Sequence, residues 1–389
     1  MTINSERRPK MCQNNLNWLY VAFALCFLFE LVSLSPCPCD DPSLCLPASG
    51  SKKSEVFLFK LRNDKSWLKY DWTKVTSVVT VGFMDTVLMC HAHKYGARAI
   101  RIVNYPIDQL LNVTHRQQWI QEQVSQVYKY FYDGINFDME GALPLTRKDL
   151  RDALTSLVNE TYQILKAKNK NYQVTYDVAW SPHCVDNRCY DVKALSEVTD
   201  FLFVMAYDER SQISGPCIAG PNSAYNLTLY GIDEYIKMTI PSRKLVLGVP
   251  WYGYRYPCIS LSSKNVCKIH KVPFRGAECS DAAGKEFDIA VIVDKMLPKS
   301  QTGKIWDKSS MTPFFTYQED DGTIYQVWYD DTESLQLKYK LAEQLNLRGV
   351  GMWNVDCVRY DDSRNSTKLR KMMWNILPKY DMSYLTPTH

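Results

Sequence analysis

The chain has 389 residues, 46 Lys+Arg against 42 Asp+Glu and a formal net charge of +4 at pH 7. So small an excess excludes the broad electrostatic attraction that holds proteins on nucleic acid or on acidic membranes. Hydrophobic residues make up 46% and charged residues 23%, so the chain can bury a sizeable core and is not a disordered polyelectrolyte.

Arg7, Arg8 and Lys10 precede an apolar run from Leu16 to about Leu34, the pattern of a secretory signal peptide with a basic start. Ser33 and Ser35 offer a cleavage site. Glu30 interrupts the run, which then falls short of the roughly 20 residues of a membrane span. Residues 1–35 are therefore expected to be a leader and 36–389 the mature protein, with a retained anchor as the alternative. No membrane association is expected after cleavage.

Of the thirteen cysteines, Cys12 and Cys26 belong to the leader; the other eleven enter an oxidising compartment and leave at least one free thiol. Cys184 with Cys189, and Cys258 with Cys267, would close short loops. The six histidines form no recognised ligand spacing with these cysteines, so no metal and no cofactor are expected. Four sequons, at Asn112, Asn159, Asn226 and Asn365, fit glycosylation in the same compartment.

Eight short runs rich in β-branched and aromatic residues follow: Glu55 to Phe59, Ser77 to Phe83, Arg98 to Val103, Gly134 to Glu140, Gln173 to Ala179, Phe201 to Tyr207, Lys244 to Val249 and Gly349 to Trp353. Helical stripes separate them. Trp119, Ile120, Val124, Val127, Tyr128 and Phe131 form one. Leu150, Leu154, Leu157, Val158, Thr161 and Leu165 form another, with Thr146 and Asp149 placed as a capping box. A further helix opens near Thr332 and carries Leu335, Leu341 and Leu345.

This alternation predicts an α/β fold, a (β/α)8 TIM barrel with a small insertion, about 254–330, between strand 7 and strand 8. An open doubly wound sheet is the alternative. No Gly-rich phosphate turn follows the first strand, which removes the usual reason to prefer a dinucleotide fold.

In the fourth run, Asn136, Asp138 and Glu140 fall on one strand face while Ile135, Phe137 and Met139 fall on the other. Barrel interiors are normally apolar, and two carboxyls side by side force at least one to hold its proton. That is what a general acid needs, and Glu140 stands last, at the catalytic end of the strand. A buried hydrogen-bond network is the structural alternative.

The stretch Asp133 to Glu140 resembles the active-site strand of glycoside hydrolase family 18, the chitinase family, whose pattern is D-x-x-D-x-D-x-E; Asn136 stands where that family has its second Asp. Met205-Ala-Tyr207-Asp208 and Gly351-Met-Trp353 are similar to two further motifs of the family. The likeness extends through Asp177-Val-Ala-Trp180, Val249-Pro-Trp-Tyr-Gly253, Val272-Pro-Phe-Arg-Gly-Ala277 and Asn354, toward a branch that degrades glycoproteins in the lysosome.

The resemblance implies hydrolysis of the β-1,4 bond of chitobiose units, including the reducing-end core of N-linked glycans, by substrate-assisted retaining catalysis. Glu140 is the implied proton donor, Asp138 the group that orients the acetamido N–H, and Tyr207 the donor to the acetamido oxygen. Trp353 is the candidate floor for the sugar, with Asn136, Asp208, Trp180, Tyr252 and Asn354 as further substrate contacts and Trp251 as another rim aromatic. An oligosaccharide substrate, a monomer and a lysosomal or secreted location go with it. A silent lectin and an endo-acting chitinase on the same barrel remain alternatives. Because Asn136 removes a charge beside Asp138, Asp138 is expected to stay ionised to lower pH than in three-carboxylate relatives.

Overall fold

Seven parallel strands follow one another after residue 54: β1 Glu55–Lys60, β2 Ser77–Thr80, β3 Arg98–Val103, β4 Gly134–Phe137, β5 Gln173–Ala179, β6 Phe201–Met205 and β7 Leu245–Pro250. An antiparallel segment then intervenes: β8 Tyr252–Pro257, β9 Ser260–Leu261, β10 Cys267–Lys268, β11 Lys285–Asp288, β12 Ile305–Asp307, β13 Thr312–Gln318 and β14 Ile324–Tyr329. The last strand, β15 Gly349–Trp353, pairs with both β7 and β1 and closes an eight-stranded barrel. Closure decides against the open sheet. The computed structural model describes residues 36–49 and 54–378, so the expected leader lies outside the described residues. The barrel belongs to the unit Pro38–His389.

The helical stripes appear where the periodicity placed them. Helix Val113–Lys129 buries Ile120, Val124 and Val127, and helix Lys148–Lys168 buries Leu150, Leu154, Leu157, Val158, Thr161 and Leu165. The expected capping box at Thr146 and Asp149 is absent. Arg147 occupies the cap without a side-chain hydrogen bond, and Asp149 instead pairs with it at 2.8 Å. A true capping box forms at the helix Thr332–Gln344, between Asp331 and Ser334.

Aromatic rings fill part of the barrel. Phe57 and Phe59 alternate on β1, Phe201 and Phe203 on β6, with centroids 5.3 Å apart for Phe57–Phe201 and 5.0 Å for Phe59–Phe203. Glycines make the room: a Cβ on Gly248 or Gly351 would lie 2.4 or 2.5 Å from the Phe203 ring. Trp353 sits against Phe59 at 5.2 Å, so this aromatic column supports the last residue of β15 from below.

In the insertion, β11, β8, β14, β13 and β12 form one sheet, with Tyr256, Phe314 and Trp328 in its own small core. Disulfides join Cys39–Cys90, Cys184–Cys189, Cys217–Cys279 and Cys258–Cys267, including both short loops expected from spacing. Among the described residues Cys357 is a free, buried thiol. Among the described residues no helix is long and apolar enough to cross a membrane.

Candidate active site

Strand β4 ends at Phe137, three residues earlier than the alternation suggested, because its neighbour β3 ends at Val103. Asp138 still holds the line of the strand through its amide, which donates to the Val103 carbonyl at 2.9 Å. Met139 and Glu140 continue as irregular chain. The Tyr190 hydroxyl fixes that chain, bonding the carbonyls of Met139 at 2.9 Å and Gly141 at 2.6 Å, on either side of Glu140.

Below Asp138, Asn136 is fully buried and serves as a relay. Its carbonyl oxygen accepts from Thr175 Oγ1 at 2.6 Å, and its amide donates to Asp177 Oδ2 at 2.7 Å. Both partners lie on β5, whose register sets Tyr176 opposite Phe137 and so brings Asp177 beside Asp138. Asp177 was not among the residues singled out from sequence. Its signal was present, since Gln173, Thr175 and Asp177 share a strand face as Asn136 and Asp138 do.

Burial, then the Asp138 charge, pushes the Asp177 carboxyl well above the ordinary carboxylate range, against the pull of the Asn136 hydrogen bond. Asp138 itself is pushed up to about 7 by burial and by Glu140, with Arg188 pulling the other way. Even without an acid at position 136, Asp138 thus lies above the ordinary carboxylate range. Desolvation outweighs the missing charge, and β5 supplies another carboxyl nearby.

Glu140 differs from expectation too. Its side chain is 55% exposed and bonded by Arg188 Nη1 at 2.6 Å, so the carboxyl that burial pushes up is Asp138. Arg188 lies inside the loop closed by Cys184–Cys189, and sequence reasoning had no means of directing it here.

Tyr207 follows β6 and is buried; burial, then Asp177, Asp138 and Glu140, raise its hydroxyl well above the ordinary phenol value and keep it a donor. Asp208 has a left-handed backbone, φ 51°, held by its amide donating to Asn222 Oδ1 at 2.8 Å. Its carboxylate accepts from the Tyr252 hydroxyl at 2.7 Å and from Tyr254 at 3.2 Å. Burial raises Asp208, and those two tyrosines oppose the rise.

The remaining candidates divide. Trp353 is partly exposed on top of Phe59. Asn354 is buried and its side chain accepts the Asp356 amide at 3.1 Å, a commitment to the turn after β15. The Trp180 carbonyl and ring lie against Gly231 of the helix Tyr225–Lys237, where a Cβ would meet them at 1.9 and 3.3 Å. Trp251 is fully buried and packs edge-on against Trp374, so it is core and not rim. Asp133 belongs to the opposite end of the strand, where it bonds His93, Ala99 and Ala48.

The model of the glycosyl hydrolases family 18 matches residues 106–357. A di-N-acetylchitobiase of Homo sapiens is 42% identical over 348 residues, covering 90% of each chain. A probable di-N-acetylchitobiase 2 of Dictyostelium discoideum is 39% identical, covering 88% of this chain and 90% of its own. Among solved structures, a class V chitinase from Nicotiana tobaccum superposes with a TM-score of 0.65 at 15% identity, over 82% of this chain and 98% of its own; that likeness concerns the fold. Strand closure, the carboxyl ladder at the end of β4 and these relatives agree: the chain belongs to the glycosyl hydrolases of family 18.

Proposed function

We propose that this glycoside hydrolase cleaves the β-1,4 bond between two N-acetylglucosamine units of chitobiose, including the reducing-end core of N-linked glycans. The observation that carries the reading is the line continued from β4, with buried Asp138 held to Val103 and pushed up to about 7 by burial and then by the Glu140 charge, and with Glu140 two residues on, bonded by Arg188. The reaction as proposed calls for a proton on Glu140 and an ionised Asp138, which then accepts a hydrogen bond from the substrate's acetamido N–H.

The chemistry then needs no protein nucleophile, because in this family the substrate's own acetamido group takes that part. Glu140 gives its proton to the glycosidic oxygen, and the bond from that oxygen to the anomeric carbon breaks. The acetamido carbonyl oxygen bonds the anomeric carbon from the other face, forming an oxazolinium ion. Asp138 orients the N–H and stabilises the positive charge, and the Tyr207 hydroxyl donates to the acetamido oxygen. In the second step water yields a proton to the Glu140 carboxylate and its oxygen to the anomeric carbon, while the bond from that carbon to the acetamido oxygen breaks and restores the acetamide, so configuration is retained.

The relatives that carry the name di-N-acetylchitobiase support chitobiose as substrate. A monomer acting in the lysosome, reached through the secretory pathway, completes the reading; the basic, apolar start of the chain and its disulfides support that route.

The test is turnover of N,N′-diacetylchitobiose, longer chitin oligomers and a free oligosaccharide ending in chitobiose, by wild type and Glu140→Gln. Wild type should cleave the first and third, and the variant should lose at least about a hundredfold in kcat. Tight binding without cleavage by wild type would leave a lectin, and cuts at internal bonds of long oligomers would point to a chitinase. Full turnover by Glu140→Gln would sink the proton-donor role.

A further inference from the structure

A charged group that the reaction as proposed leaves unused stands against its proton donor. Arg188 Nη1 donates to Glu140 Oε2 at 2.6 Å, while the arginine side chain is only 9% exposed. Long cations on a surface usually trade such contacts for water, but this one is anchored along its length. Nε reaches the Val185 carbonyl at 3.4 Å and Nη2 lies 3.4 Å from Asp186 Oδ2. Asp186 is itself buried and held by Ser211 Oγ at 2.8 Å, with the Arg275 guanidinium bonding its carbonyl.

The backbone is equally committed. The Cys184–Cys189 disulfide closes the loop that carries Arg188. Leu143 and the loop exchange backbone bonds, Leu143 N to Asn187 O at 2.7 Å and Cys189 N to Leu143 O at 3.1 Å. Tyr190, the next residue, grips the carbonyls flanking Glu140. One cross-linked loop thus holds both the main chain of Glu140 and the tip of its side chain. Among the described residues, the other charged or titratable groups interacting with Glu140 include Asp138 two residues before it, Asp177 from β5, Tyr207 and Asp208 after β6, and Tyr190. Arg188 is the cation that bonds it directly.

We propose that Arg188, aimed by the Cys184–Cys189 loop, is a positioning residue for Glu140: it holds that carboxyl at the scissile oxygen and stabilises the negative charge that forms there as the proton leaves. This rests on the reading of Glu140 as proton donor. A preorganised charge aimed at the place where charge develops acts on the transition state and not on ground-state binding. Its effect belongs to the step in which the leaving oxygen must be protonated. A nitrophenolate departs without a proton, so that step is relieved of the need.

The experiment compares Arg188→Met, Arg188→Lys and Glu140→Gln on N,N′-diacetylchitobiose and on the nitrophenyl β-glycoside of N-acetylglucosamine or chitobiose, whichever wild type turns over. Arg188→Met should lower kcat on diacetylchitobiose by about tenfold or more with KM within about twofold, and lose markedly less on the nitrophenyl glycoside. Arg188→Lys, which keeps the charge, should recover part of the loss. Circular dichroism and thermal midpoints close to wild type establish that the loop has not simply collapsed; if Arg188→Met fails to fold, the two-substrate comparison is read on Arg188→Lys. Equal losses on both substrates, a change in KM alone, or a lysine variant no better than methionine would overturn the proposal. Those outcomes leave the reading of Glu140 standing when Glu140→Gln is inactive. Full activity of Glu140→Gln would instead remove that reading itself.

Discussion

The Asn136 amide donates to the Asp177 carboxylate at 2.7 Å, so the residue that replaces an acid on β4 is bonded to an acid on β5. The carboxyl missing from one strand is present on its neighbour, in register with Asp138 one step past the Phe137–Tyr176 pair. Burial, then the Asp138 charge, pushes Asp177 well above the ordinary carboxylate range, while Asp138 is pushed up to about 7. The acidic limb of the rate profile follows Asp138, which must be ionised to accept the acetamido N–H. Asp177→Asn should therefore leave that limb within about half a pH unit of wild type, whereas Asn136→Asp adds a third acid beside Asp138 and should move it up by about one unit. A limb that fell in Asn136→Asp would contradict this electrostatic account.

Tyr207 is expected to separate catalysis from stability. Its ring packs edge-on to Tyr252 at 6.1 Å and survives in Tyr207→Phe, while the donor is lost. The drop in kcat should be about a hundredfold, the size of losing one preorganised donor, with a thermal midpoint changed by only about a degree or two. Steady-state kinetics and a melting curve on the same preparation check both halves. A large fall in the midpoint would mean that the hydroxyl is structural.

At the other end of β4, His93 couples stability to pH. Its Nε2 lies 2.7 Å from Asp133 Oδ2 and its Nδ1 2.6 Å from the Leu44 carbonyl, so both ring nitrogens face acceptors and the imidazolium fits the site. Burial works against that cation, and the Asp133 hydrogen bond and charge, with Leu44, outweigh it, raising His93 above 6.5. A raised folded value means that the contribution is complete below the unfolded value near 6.5 and is lost as pH climbs through the folded one. Denaturant midpoints should fall over that interval in wild type. In His93→Leu the slope there should flatten and overall stability should drop by about 3 kcal/mol, the order expected for breaking a buried pair. An unchanged slope would show that His93 is neutral in the fold.

Gly134 opens β4 with φ +152°, and a Cβ there would lie 1.8 Å from the Gln173 carbonyl oxygen. That oxygen is backbone and cannot move aside. Gly134→Ala should cost about 3 kcal/mol or more and separate β4 from β5, taking the Asn136–Asp177 contact with it. Soluble yield and the urea midpoint report the outcome; a midpoint near that of wild type would mean that the strands can shift to admit a methyl.

Much of the site was legible because strand periodicity is local. Asn136 and Asp138 share a face by alternation, and Tyr207 and Trp353 stand at or just past the ends of strands that β-branched and aromatic runs announced. Asp177 obeyed the same rule on the next strand. Glu140 was harder to read, since the strand ends at Phe137 and alternation no longer dictates where its side chain points. Asn354 accepts a turn amide and Trp180 lies against the helix Tyr225–Lys237, contacts that proximity to a strand end does not announce.

The order of residues along the chain was enough to determine the eight strands, the helical stripes between them and the polar ladder of β4, because each follows from spacing within one element. It also identified the short disulfide loops, which need only nearby cysteines. What it could not decide was anything set by contacts distant in sequence: that β15 closes the barrel against β1, that the loop bearing Arg188 folds 48 residues back onto Glu140, and that burial acts on Asp138. Desolvation and charge pairing depend on the full set of neighbours in space, and only the folded chain assembles them.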